Sequence, residues 1–215
     1  MARPLHFLTL GLISLIIVSC NDTKPVSRTL QTTDTTASTA VPAVPTSTAY
    51  PEVKTWIDDF KNFRNAVNDG DTEKLKTYFV FPLDAESTQI WSAIFEQESE
   101  LKNKQAITSF TEKDFEQYRT RIFNAAFVKS LLKIKSAKLA EKGSNESPEF
   151  NDKGESFSML VEYNKETKSV FISLGYAGGI DENGEYVSEG EHSTIFEFDV
   201  IDQKYLRFNR VMFAG

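Results

Sequence analysis

A chain of 215 residues with 31 acidic and 24 basic side chains carries a net charge of −7, and its basic residues form no cluster. Nucleic acid and anionic lipid headgroups are therefore poor partners, because binding either depends on grouped lysines and arginines that displace counterions. Cys20 is the only cysteine, so no internal disulfide can form and a folded domain must be held by its core alone.

The chain begins with Arg3, then an apolar run from Phe7 to Val18 that leads into Ser19 and Cys20. As a helix this run is ~18 Å long, short of the ~30 Å hydrocarbon core of a bilayer, and its layout is that of a secretory signal peptide. The ending Ile17-Val18-Ser19-Cys20 resembles the lipobox of bacterial lipoproteins. That resemblance implies removal of residues 1–19 and a diacylglyceryl group on the Cys20 thiol, usually with acylation of the freed amine. Two or more acyl chains make a lasting anchor where one binds only reversibly. The expected location is the bacterial cell envelope, with the domain outside the cytoplasm and tethered to a bilayer, the outer membrane by expectation, through acylated Cys20. Residues 20–50 are rich in Thr, Ser, Ala, Pro and Val, a composition that cannot bury enough apolar area to offset chain entropy and reads as a linker.

Residues 51–215 have the length of one domain with a substantial core. Val53, Trp56, Ile57, Phe60, Phe63 and Val67 recur at spacings of three and four, which predicts a helix stopped at Asn68-Asp69-Gly70. Asp71 reads as the N-cap of a second helix, Thr72 to Phe79, and Phe81-Pro82 as extended chain. Trp91, Ile94 and Phe95 suggest a short helical piece. Thr111 to Asp114 reads as a capping box opening a helix with Phe115, Tyr118, Ile122 and Phe123 on its buried stripe. Beyond Leu131 the period changes to two. Strands are expected near Ile134 to Leu139 and over Ser156 to Tyr163, Ser169 to Tyr176, Ser193 to Ile201 and Lys204 to Phe213, joined as an antiparallel meander. In the last of these the alternation slips at Asn209-Arg210, which predicts a β-bulge. Helices first and strands later make an α+β fold.

Phe60-x-x-Phe63-x-x-Ala66-Val67, Gly70-Asp71, Leu75, Tyr78 and Phe81-Pro82-Leu83 resemble the opening of the nuclear transport factor 2-like superfamily as found in small bacterial lipoproteins. Phe110-Thr111-x-x-Asp114-Phe115, Ile122-Phe123 and the ending Leu206-x-Phe208-x-x-Val211-x-x-Ala214-Gly215 are similar to later parts of those proteins. The resemblance implies a cone of N-terminal helices packed in a curved antiparallel sheet. It also raises the possibility of an isomerase-like or dehydratase-like pocket, in which a buried carboxylate or an ionisable dyad does proton transfer.

The strand phase facing the helices is Phe157, Met159, Val161, Tyr163; Val170, Ile172, Leu174, Tyr176; Thr194, Phe196, Phe198, Val200. Its only ionisable groups are two tyrosines, while Glu162, Glu197 and Asp199 take the opposite phase. Catalysis is accordingly disfavoured, with Asp84 and Tyr176 the residues to test for it. A binding or interaction module is favoured, and Phe157, Met159, Ile172, Tyr176, Phe196 and Phe198 are the candidates for an apolar ligand pocket. Asp181-Glu182-Asn183-Gly184-Glu185 reads as an Asn-Gly hairpin turn, because Tyr186 and His192 stand where a calcium loop needs its glycine and its bidentate glutamate. His192 has no second histidine or cysteine beside it, so no metal or cofactor is expected and the residue reads as structural or solvent-exposed. On the outer phase Leu160, Phe171, Ile195, Ile201 and Tyr205 are more apolar than a solvated face needs. They are expected to pack on a second copy, another envelope protein or residues 177–192 of the chain itself. The lipid attachment is checked by labelling cells with a palmitate analogue: the chain takes up label, and Cys20→Ala abolishes it.

Overall fold

The computed structural model describes residues 50–95, 108–152, 154–180, 185–188 and 190–215. They form a mixed α+β domain whose helices precede an antiparallel sheet. None of the described helices is long and apolar enough to cross a membrane. The expectations for residues 1–49, and for the turn at Asp181 to Gly184, lie outside the described residues.

Helix α1 (Trp56–Asp69) begins at a capping box in which Thr55 and Asp58 satisfy each other's backbone donors, and it ends where Gly70 takes φ 64°. Helix α2 (Thr72–Lys76) follows, its N-cap Asp71 accepting from Lys74 N. It stops short of Phe79. The next bonds, Tyr78 N to Leu75 O and Phe79 N to Lys76 O, are tight three-residue turns that direct Tyr78 and Phe79 into the core. Strands β1 (Leu83–Asp84) and β2 (Ser109–Phe110) pair with each other, with α3 (Ala85–Thr88) and α4 (Ile90–Ile94) between them in sequence. The expected capping box at Thr111 and Asp114 opens α5 (Glu112–Ile122), which buries Phe115 and Ile122 on the anticipated stripe. Helix α6 (Ala125–Leu131) comes next.

The strand expected near Ile134 to Leu139 is a turn followed by helix α7 (Ser136–Lys142), with Gly143 in the left-handed region at φ 76°. Ala, Lys, Leu and Glu fill this stretch, all good helix formers. Its two core residues, Ile134 and Leu139, are buried from a turn and a helix face and not from one strand face. Arg64 of α1 holds the junction by donating to Ile134 O at 2.8 Å and Ser136 Oγ at 3.3 Å.

After α7 the chain forms β3 (Ser144–Glu146), β4 (Phe150–Asp152), β5 (Glu155–Asn164) and β6 (Ser169–Tyr176). The small hairpin β7 (Gly179–Ile180) and β8 (Tyr186–Val187) precedes β9 (His192–Ile201) and β10 (Tyr205–Ala214). The main sheet has the order β10-β9-β6-β5-β3, antiparallel throughout, and β4 also pairs with β5. The meander is therefore as expected. Asp202 and Gln203, both at positive φ, make the turn between β9 and β10. The bulge is present as well: the register shifts between Phe208 and Arg210, so Val211 returns to the buried face.

The inner face of the sheet is covered by aromatic rings. Phe63 of α1 meets Phe198 at 5.1 Å, Tyr78 at 5.2 Å and Phe123 at 5.7 Å, each roughly edge to face. Phe127 of α6 meets Phe196 at 5.0 Å. A charged group also lies in this core. Asp59 takes a position on the apolar face of α1 between Trp56 and Phe63 and is only 3 % exposed. Its Oδ2 accepts from Leu206 N of β10 at 2.8 Å and its Oδ1 accepts from the Tyr78 hydroxyl at 3.2 Å. Burial raises its pKa above the ordinary aspartate value of 3.8, although the Leu206 and Tyr78 donors and Lys74 pull the other way.

Asp59→Ala takes the acceptor from Leu206 N, while the Tyr78 hydroxyl keeps the Asp59 carbonyl oxygen at 3.3 Å. One orphaned buried donor costs about 1–3 kcal/mol, so stability is expected to fall by that amount. Asp59→Asn keeps an acceptor for Leu206. Because the native state holds the Asp59 proton more tightly than the unfolded chain, stability is full below pH 3.8 and falls as pH rises through the elevated native value. The melting temperature of Asp59→Asn relative to the parent is thus expected to rise between pH 4 and neutrality, read by circular dichroism. A pH-independent difference between the two would contradict this account.

Candidate functional site

Leu206 of β10 and Phe198 of β9 pack on α1, and the opposite ends of β6, β9 and β10 lie beside the ends of α4, α5 and α6. At those ends the helices stop: α4 finishes at Ile94, α5 at Ile122, and Asn124 caps α6. A cleft of about 470 Å³ opens there. Its apolar wall includes Phe95, Ile122, Leu174, Phe196 and Phe213, and its polar groups include Arg121, Asn124, Tyr176, His192 and Thr194.

The polar groups are held by defined contacts. Asn124 accepts from Phe127 N at 2.9 Å, which turns its amide nitrogen toward the Tyr176 hydroxyl at 3.5 Å. The His192 ring stacks on Tyr176 at 4.6 Å with the planes 12° apart. His192 Nδ1 lies 2.9 Å from Gly190 O, and since a carbonyl only accepts, Nδ1 carries the proton and Nε2 is the acceptor of the neutral ring. Arg121 lies over the face of Phe95 at 5.3 Å. Glu155 is the one carboxylate among the described residues that line the cleft, and it is exposed.

The candidate ligand residues divide. Tyr176 and Phe196 line the cleft, whereas Met159, Ile172 and Phe198 are fully buried and form core. Phe157 is also buried, and it borders a separate open groove of about 350 Å³ shared with Tyr176. The two residues marked for testing as catalysts are not brought together. Tyr176 is at the cleft, but Asp84 caps α3 by accepting from Glu86 N at 3.0 Å and is not among the cleft's lining residues.

His192 is exposed, in keeping with the sequence reading, yet its place against Tyr176 at the cleft could not be read from its isolation in sequence. Register supplies the link, since Tyr176 and His192 are cross-strand partners at the ends of β6 and β9. The sequence reading also passed over Asn124 and Phe213. An Asn before Ala-Ala-Phe is a legible N-cap, but nothing local says that it faces Tyr176. Among the described residues no group of three or more His, Cys, Asp or Glu is placed to hold a metal ion.

Comparison with protein-family models, with curated proteins and with solved structures gave no match. The geometry of the cleft therefore has to carry the functional reading.

Asn124→Ala is expected to lower stability by about 1 kcal/mol through loss of the α6 cap. Asn124→Asp keeps the cap acceptor and is expected to remain close to the parent in thermal melting while losing the amide donor to Tyr176. Equal melting temperatures for Ala and parent would show that the cap contributes little.

Proposed function

We propose that this chain is a bacterial envelope lipoprotein, anchored through acylated Cys20, whose domain has the nuclear transport factor 2-like cone and binds a small amphipathic molecule without transforming it. Support for the cone comes from the order of elements, with helices first and then a meander whose last strand is bulged. The observation that carries the binding reading is the cleft itself. Its volume of about 470 Å³ falls within the ~300–1,000 Å³ range of small-molecule sites, and its lining joins phenylalanine and aliphatic side chains with a comparable share of polar ones. An apolar body against Phe95, Phe196 and Phe213 would leave a polar head beside Asn124, Thr194 and His192.

The isomerase or dehydratase alternative needs a carboxylate or dyad tuned by burial inside an apolar cavity. Asp84 is spent as a helix cap, and Glu155 lies at an exposed position where water screens it. Tyr176 and His192 meet face to face, a geometry for packing and not for passing a proton between them. Binding without chemistry fits these positions better.

Native mass spectrometry of the chain extracted from its own membranes is expected to show a bound small molecule. Ala93→Trp places an indole in the cleft from a partly exposed position on α4, and it is expected to weaken binding of anilinonaphthalene sulfonate by roughly tenfold or more. Unchanged probe affinity in Ala93→Trp, with the fold intact by circular dichroism, would sink the cleft as the binding site.

A further inference from the structure

The inner phase of β9 changes character along its length. His192 is exposed, Thr194 is half-buried, and Phe196 and Phe198 are buried. On the neighbouring strand Tyr176 stands opposite His192, Leu174 opposite Thr194 and Ile172 opposite Phe196. Both strands therefore run from a polar end at the mouth of the cleft to an apolar end in the core. A molecule lying along them meets polar partners only at the mouth. From His192 to Phe196 is ~14 Å of strand, the reach of a medium-length alkyl chain.

Which head group fits follows from the donors and acceptors at that mouth. The Nδ1 proton of His192 goes to Gly190 O, so the neutral ring presents Nε2 as an acceptor. Asn124 Oδ1 is occupied by Phe127 N, and of the two hydrogens on its Nδ2 one is directed at the Tyr176 hydroxyl, which leaves the other to donate. The Thr194 hydroxyl, also in the lining, can do either. The formal charges among the lining residues are Arg121 and Glu155, one of each sign and both exposed, so a charged head finds no net opposite charge. A carboxylate only accepts and cannot use His192 Nε2, and an ammonium only donates and cannot use the Asn124 amide. A hydroxyl uses both.

We propose that the ligand of the cleft is an uncharged amphiphile with a hydroxyl head, a medium-chain alcohol being the simplest, and that His192 and Asn124 select that head; this rests on the reading of the cleft as a binding site. The hydroxyl donates to His192 Nε2 and accepts from Asn124 Nδ2, and the tail lies toward Phe196. Stacking on Tyr176 holds the imidazole flat, and the cap bond to Phe127 N holds the amide, so both partners are set before a ligand arrives.

The test uses the full chain purified from its own membranes into phosphatidylcholine nanodiscs, with empty nanodiscs as the blank. At about pH 8, which keeps imidazole neutral, decanol, decyl methyl ether, decanoate and decylammonium each compete with the uncharged fluorophore N-phenylnaphthylamine. Decanol is expected to bind roughly tenfold more tightly than either charged ligand. His192→Phe keeps a ring to stack on Tyr176 and removes the acceptor. It is expected to lower the ratio of decanol to ether affinity by roughly three- to tenfold, the contribution of one neutral hydrogen bond, and His192→Gln, which retains an acceptor, is expected to restore part of it. Decanoate or decylammonium binding as tightly as decanol overturns the proposal, as does no displacement by decanol. So does an unchanged decanol-to-ether ratio in His192→Phe with the fold intact by circular dichroism. Ala93→Trp separates these failures from failure of the cleft itself. If a charged ligand matches decanol and Ala93→Trp weakens both, the cleft stands and only the head-group assignment falls. If Ala93→Trp leaves decanol binding unchanged, both fall.

Discussion

An antiparallel sheet with one largely apolar face cannot exist in water until that face is covered, and most of this domain is a means of covering it. Phe63 supplies the centre of the cover. From the middle of α1 it touches Phe198 on the sheet, Tyr78 from the turn after α2, and Phe123 after α5, so one ring joins three separated parts of the chain. Deleting a buried phenylalanine typically costs ~3–5 kcal/mol, a large share of the ~5–15 kcal/mol that a domain has in total. With no disulfide available, that contact and its neighbours decide whether the fold stands.

Apolar rings pack without fixing direction, and direction is set by the buried polar contacts around them. The Asp59 carboxylate and the Tyr78 carbonyl take the backbone N–H groups of Leu206 and Phe208, which would otherwise be unpaired on the edge of β10. The carboxylate is desolvated in doing so, a cost accepted because the alternative is an orphaned amide on a covered strand edge. Arg64 does the same for α7 through Ile134 O. These bonds register α1 against both the sheet and the helix that leads into it.

The cleft exists because that cover is uneven. Near α1 the inner face meets Phe60, Phe63 and the turn after α2, whose Tyr78 and Phe79 are buried with them. Toward Tyr176, His192 and Phe213 it meets helix ends, where backbone and caps replace long apolar side chains. The polar groups of the cleft are therefore largely those that terminate helices and strands. The bulge at Asn209 acts on both faces at once: it returns Val211 to the core and sets Arg210 beside Glu197 on the outside.

Where a pattern is local, the sequence alone determined the outcome. The α1 stripe and its Gly70 stop, the Asp71 and Thr111 caps, the four long strands, their meander and the bulge all follow from spacing and short-range hydrogen bonding, and each was legible before any coordinates. The stretch from Ile134 to Leu139 was misread because two buried residues among good helix formers fit either period. Only packing against Arg64 and α1 separates the two. Asp59 was legible in principle, as an acid at a core position of an apolar stripe, but its partners lie 147 residues away at Leu206 and across the turn at Tyr78. The site was decided by tertiary structure. The six pocket candidates share one strand phase, and nothing in that phase distinguishes Phe198, which is sealed under Phe63, from Phe196, which borders the cleft. Which of them meets an open space depends on where helices distant in sequence happen to end, and a strand's own periodicity carries no information about that.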